Sequence, residues 1–397
     1  MIDRQQTSVA IAAAIGLLSL AGAMGIGRFA FTPMFPLMQE RLGLTFAQGS
    51  WLATANYGGY LLGAVACFLL APAADNAARW GLAAVSLSTL AMGWTAFFPL
   101  WVLLRLLAGV ASAFVLVGAS AWALAQLAAR HRNDLAGWVF AGVGVGISVA
   151  GCIALAAGAA HAAPGSAWVG LGAVASAVTV LAWRRLVPIA PTGPSKTSGS
   201  APRLDRAAWL LVVCYGTFGF GYIIPATFIP VAARSLVEDP WVFGWAWPLF
   251  GLAAAVSTVV VTTLFRAAAP RQTAIASLLV MAVGVALPAL HSSITTLVLS
   301  ALCVGGTFMV MTMAGFQEAR RLSTGSPTRL ISAMTAAFAL GQLAGPVAVA
   351  LSPSVGDPFV LPSLVAAALL ACSAMALSLT QRTPATLPSL PHEGGSL

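Results

Sequence analysis

The chain has 397 residues, of which 59% are hydrophobic and only 7% charged. Soluble proteins carry roughly 25% charged residues, so this chain cannot solvate an ordinary surface, and its mean hydropathy of +0.93 marks it as an integral membrane protein. The net charge of +9, from 19 basic and 10 acidic residues, would suit a nucleic-acid binder only on a polar body, so nucleic acid is excluded as a partner.

One bilayer crossing takes about 20 mostly apolar residues as a helix. In chain order the predicted spans are 9–37, 48–71, 81–98, 100–128, 136–160, 166–187, 207–231, 242–265, 272–290, 294–318, 330–352 and 359–380. The runs are long and continuously apolar, without the alternation of a barrel strand. The first run resembles a cleaved signal, with Arg4 ahead of it and Ala21-Gly22-Ala23 as a cleavage site. Residues 25–36 recur later in the chain, however, so it is expected to be retained. The stretch 188–206 is rich in Pro, Ser, Gly and basic residues and reads as a cytoplasmic linker. It divides an N-terminal bundle (1–187) from a C-terminal bundle with a short cytoplasmic tail (207–397).

Basic residues orient the spans. With the N-terminus inside, Arg4, Arg79, Arg130, Arg132, Arg184, Arg185, Lys196, Arg203, Arg206, Arg266, Arg271, Arg320, Arg321, Arg329 and Arg382 face the cytoplasm. Arg41 and Arg234 fall outside, and Arg28 and Arg105 fall within spans. This asymmetry follows the positive-inside rule and predicts both termini in the cytoplasm. One miscounted helix would invert every later loop.

The two halves repeat. Gly25-Ile26-Gly27-Arg28 and Pro36 of span one match Gly219-Phe220-Gly221-Tyr222 and Pro230 of span seven at an offset of 194. Trp51 and Trp245 keep that offset, while Gly109 and Gly305 match at 196 and Gly146 and Gly341 at 195. Six intervening spans give both copies the same direction across the membrane. Parallel six-helix repeats of this kind bind substrate between the halves near the midplane.

Two charges lie inside spans. Arg28 sits about twenty residues into span one, where a cation costs at least about 2.5 kcal/mol. It is read either as a cavity cation that binds an anion or as a side chain snorkelling outward. Arg105 sits early in span four, in Arg105-Leu-Leu-Ala-Gly109-Val-Ala-Ser-Ala113, on one face with two small residues. It either projects along that seam into the interior or bonds backbone carbonyls at the outer edge. No Asp or Glu falls inside a span, and Glu318 stands at the inner end of span ten. Unpartnered arginines favour an anionic substrate, and a proton is the expected coupling ion, carried by Glu318 or by the substrate. Asn56, Tyr222 and Gln342 are the further cavity candidates, each alternatively an interhelical contact. Asp75 and Arg79, placed in the loop between spans two and three, pair at i, i+4 as a cytoplasmic latch or as a solvated surface bridge. Gly109, Gly146, Gly341, Gly345 and Pro346 are assigned to close helix packing or bending. The five cysteines are dispersed and the four histidines fall in loops or the tail, so no metal, cofactor or catalytic cluster is expected.

Arg105-xxx-Gly109-xxx-Ala113 resembles the fourth-helix motif of the major facilitator superfamily, in which the Arg has been linked to proton coupling. Asp75-Asn-Ala-Ala-Arg79 resembles its helix 2–3 loop motif, with Ala71 and Ala78 replacing two of the glycines. Gly146-Ile-Ser-Val-Ala-Gly151 lacks the Pro of the antiporter motif. Gly25-Ile-Gly-Arg28-Phe-Ala-Phe-Thr-Pro33 and Gly341-Gln342-Leu-Ala-Gly345-Pro346 resemble the YbfB/YjiJ family of bacterial transporters. That resemblance implies a twelve-helix inner-membrane transporter with helices one, four, seven and ten lining the cavity, and it implies no substrate. The expected function is secondary active transport of a small organic anion by alternating access, without a protein partner. The alternative is a proton-driven exporter of lipophilic drugs. A membrane enzyme would need a polar catalytic cluster at one membrane face, and a sensor would need a soluble signalling domain.

Overall fold

The computed structural model describes residues 8–188, 204–236, 240–323, 326–352 and 359–380, with the side chains of 227–236, 240–243 and Ala350 excepted. The first span is not one continuous helix. It comprises α1 (Val9–Leu20), a π-helical segment (Ala21–Arg28), and α2 (Phe31–Leu42). The remaining spans of the first half are α3 (Phe46–Leu70), α4 (Ala74–Met92), α5 (Phe98–Ala128), α6 (Ala136–Ala159) and α7 (Pro164–Trp183). The second half follows as α8 (Arg206–Leu236), α9 (Pro240–Leu264), α10 (Pro270–Leu290), α11 (Ile294–Leu322), α12 (Thr328–Ala350) and α13 (Val360–Leu379).

Eleven of these twelve spans are long and apolar enough, among the described residues, to cross a membrane. The twelfth, α4, carries Asp75 and Arg79 in its first two turns. The sequence places this span at 81–98 and both charges in the loop before it. The helix starts earlier because Asp75 sits in its first turn, where the helix dipole favours an anion. Most of the expected linker (residues 189–203) and the tail beyond Thr380 lie outside the described residues.

The outer faces are apolar and open to lipid, as at Leu69, Leu87, Val180 and Leu264. Trp51 and Trp245, the repeat partners at the starts of α3 and α9, are both exposed, as expected of interfacial tryptophans.

Close approach of backbones gives the internal repeat its physical content. Gly25 lies against Gly146 of α6, and Gly219 lies against Gly341 of α12, so the matched glycines form the same contact in each half. A Cβ on Gly25, Gly146 or Gly341 would meet backbone of the facing helix. Gly109 lies likewise against the backbone of Asn56, and its partner Gly305 lies against the Phe250 ring; Asn56 and Phe250 are themselves 194 apart. Each half also ties the start of its third span to the end of its sixth. Arg79 donates to Leu186 O, and Arg271 donates to Leu377 O at 2.7 and 2.9 Å.

The halves meet along α6 and α9, where Gly144 faces Gly251 and Ser148 Oγ donates to Pro248 O at 2.9 Å. At the arginine-rich end of the bundle two further links cross between halves. Arg320 donates to Leu124 O, and the Arg329 guanidinium lies 4.8 Å from the centre of the Phe68 ring.

Candidate functional site

The π-helical segment has the sequence AGAMGIGR, with three glycines and wide i→i+5 bonding such as Phe29 N to Met24 O at 3.0 Å. Such widened turns leave backbone groups poorly matched, and they recur at functional sites. The carbonyls of Gly27 and Arg28 at its end need donors, because lipid and protein interior supply no water. Arg105 provides both: Nη1 donates to Gly27 O and Nη2 to Arg28 O, each at 3.1 Å. Its guanidinium lies 5.0 Å from the Phe31 ring centre. Asn56 then donates from Nδ2 to Arg105 O at 2.9 Å. Arg105 and Asn56 form a backbone brace behind Arg28.

Arg28 is only 3% exposed. Its Nη2 donates to Gln342 Oε1 of α12, which reaches from the opposite half. One face of the guanidinium lies 3.5 Å from the Tyr60 ring centre, and Tyr57 and Phe29 flank it at 5.7 and 5.6 Å. Nε and Nη1 have no hydrogen-bond partner, nor does Gln342 Nε2. Among the described residues no carboxylate pairs with Arg28; the ion pairs are Glu40–Arg41, Asp75–Arg79, Asp134–Arg132 and Glu318 with Arg271 and Arg321. Arg28 is thus a buried cation with donors free and no counter-ion among the described residues, a costly arrangement inside a membrane span.

Beside it runs a column of rings from the second half. Tyr222 stacks on Phe308 at 5.1 Å, Phe308 on Phe250 at 5.4 Å, and Phe250 on Trp247 at 5.5 Å. Phe29, next to Arg28, meets Phe308 edge-on at 6.5 Å. Phe29 therefore connects the cation to the column across the junction of the halves.

Of the residues anticipated from sequence, Arg28, Gln342 and Tyr222 come together at this junction, with Tyr222 2% exposed. Arg105 and Asn56 lie one layer back, engaged with backbone. Asp75 and Arg79 lie elsewhere: their nitrogen and oxygen are 3.9 Å apart, and Arg79 binds Leu186 O within its own half. Among the described residues, Arg320 and Arg329 link the halves at that end. Gly345 lies against Ile223, and Pro346 sits inside α12 without ending it. Glu318 is 7% exposed, with Arg271 at 3.9 Å and Arg321 at 3.7 Å. Tyr60, Phe250 and Phe308 were not anticipated. Tyr60 is one turn after Asn56 on the same helix face, and Phe250 is the repeat mate of Asn56, so both were within reach of face and offset arguments.

Twelve helical spans in two repeated halves, with a polar site at their junction, follow the plan of membrane transporters built from parallel six-helix repeats. Residues 20–378 match the family described as the uncharacterised MFS-type transporter YbfB, and the chain belongs to it. The uncharacterised MFS-type transporter YceJ of Bacillus subtilis (strain 168) is 32% identical over 102 residues, about a quarter of each chain (24% of this one and 25% of that one). Among solved structures, the major facilitator transporter FucP in its outward conformation superposes with a TM-score of 0.72 at 15% identity, over 94% of this chain and 100% of that one. The human organic anion transporter MFSD10 (TETRAN) superposes at 0.67 with 13% identity, over 94% of this chain and 100% of that one. At such identities these likenesses concern the fold.

Proposed function

We propose that the chain transports a small organic anion by alternating access, with Arg28 as the residue that binds the anionic group. The observation that carries this is the guanidinium itself: buried at the junction of the halves, with two nitrogens unpartnered and no carboxylate beside it among the described residues. Gln342 and Tyr222 shape the pocket from the second half, while Asn56 and Arg105 hold the backbone that positions Arg28. Rocking of the two bundles, 1–187 and 207–397 about the 188–206 tether, parts Arg28 from Gln342 and opens the site to one side at a time. The arginine-rich end faces the cytoplasm of a bacterial inner membrane, with both termini on that side. Arg320 and Arg329 close this end in the present state, and the Asp75–Arg79 pair stiffens the N-terminal bundle beneath it. A proton is the coupling ion, carried by Glu318 or by the substrate's own acid group. No protein partner is required in this scheme.

The test is counterflow in proteoliposomes with organic anions loaded on one side. Wild-type protein exchanges an anion, and Arg28→Ala loses roughly 30- to 1,000-fold in apparent affinity, the equivalent of about 2–4 kcal/mol for a desolvated charge contact. Wild-type exchange by Arg28→Ala and Arg105→Ala alike would refute the proposal. Export of lipophilic compounds is the second reading, favoured by the aromatic column. It is distinguished by substrate charge, because a lipophilic cation is repelled by Arg28 and binds better once that residue is neutralised.

A further inference from the structure

We infer that the anion is an aromatic carboxylate, whose acid group takes Arg28 and whose ring inserts between Phe29 and Phe308. The inference rests on the anion reading above and narrows it to a chemical class.

The carboxylate half follows from the donors. A guanidinium presents five N–H groups in a plane, and Arg28 uses one nitrogen on Gln342 Oε1 while Nε and Nη1 stay unpartnered. Tyr60, at 3.5 Å from the guanidinium carbon to its ring centre, covers one face. A ligand must therefore approach in the plane of the nitrogens, the geometry that suits a flat carboxylate. Gln342 Nε2, also without a partner, supplies a further donor from the opposite half.

The aromatic half follows from the spacing of the rings. Tyr222, Phe308, Phe250 and Trp247 stack at 5.1–5.5 Å with interplanar angles of 28° or less. Phe29 to Phe308 is the wider contact at 6.5 Å, edge-on at 84°, and it joins the two halves beside the cation. Parting of the halves separates these two rings while leaving the column intact, because the column belongs wholly to the second half. A flat ring entering there lies against the face of one of these two rings and the edge of the other, within reach of Arg28. An aliphatic chain of equal volume fills the same space without those ring contacts. The indole Nε1 of Trp247, at the end of the column, is buried without an acceptor as well.

Calorimetric titration of the purified full chain in nanodiscs tests this with a matched set of probes: benzoate, 4-hydroxybenzoate, 2-naphthoate, cyclohexanecarboxylate, hexanoate and benzamide. The aromatic acids are expected to bind on the order of tenfold tighter than cyclohexanecarboxylate or hexanoate, with benzamide weaker still. Phe308→Leu, and independently Phe250→Leu, should bring benzoate affinity down to that of cyclohexanecarboxylate in the same variant. Residual binding of cyclohexanecarboxylate by each variant shows that it is folded. Equal affinity for benzoate and cyclohexanecarboxylate, or binding of aliphatic acids alone, overturns the aromatic inference and leaves the anion reading standing. Binding of no carboxylate, or binding by Arg28→Ala at wild-type affinity, overturns both.

Discussion

A guanidinium has donors to place, and the surroundings decide whether they serve the fold or a ligand. Arg105 places two nitrogens on carbonyls at 3.1 Å and leaves Nε without a partner, whereas Arg28 places one on Gln342 and leaves Nε and Nη1 free. Arg105→Ala removes both donors from Gly27 and Arg28, and at about 1–3 kcal/mol for each stranded carbonyl it is expected to lower stability by roughly 2–6 kcal/mol. Thermal unfolding in detergent checks this, and Arg105→Lys should recover only part, since an ammonium lacks the fork that spans two acceptors. Unchanged stability with lost anion affinity would instead make Arg105 a ligand contact. Sequence alone flagged both arginines equally, because a buried charge is legible from hydropathy while its partners are not. The carbonyls that occupy Arg105 exist as acceptors only because the chain adopts a π-helical turn at residues 21–28, and no hydropathy pattern announces that turn.

At the scale of helices, the junctions depend on glycines that meet backbone. Gly146→Ala would push a methyl into Ala21 O and Gly25 Cα, a clash that rigid backbone cannot relieve, so a loss of several kcal/mol and poor recovery of folded protein are expected. Gly58→Ala, where a Cβ meets open space, should be neutral or up to about 1 kcal/mol stabilising from helix propensity. Fluorescence-detected size exclusion after heating compares the two directly, and equal behaviour would contradict the packing geometry. The repeat offsets of 194–196 found these glycines because the same helix pair recurs in each half. Tyr60, Phe308 and Phe250 escaped because an aromatic on an apolar helix reads as ordinary packing until its neighbours are known. The break in the first span escaped for a related reason: its composition stays apolar throughout.

At the scale of the molecule, span count, two-half organisation and transporter class were all legible, since each rests on long-range regularities of hydropathy, charge and repeat spacing. The bracing of the arginine-rich end was not, because Arg320 and Arg329 look like ordinary orienting charges until their partners across the junction, Leu124 O and Phe68, are seen. Removing both side chains is expected to shift the population toward opening at that end. Spin-label distances across it should lengthen in Arg320→Ala/Arg329→Ala and stay unchanged in Arg79→Ala, whose contacts lie within one half; the reverse pattern would return the latch to the Asp75–Arg79 pair. All of this presupposes an anion held by Arg28 at the junction. The most direct measurement is a thermal-shift screen of organic anions and neutral analogues against purified wild-type protein and Arg28→Ala. Stabilisation of the wild type by at least one anion, absent in the folded Arg28→Ala protein, is the predicted result. Equal stabilisation of both proteins by the same compounds would contradict it.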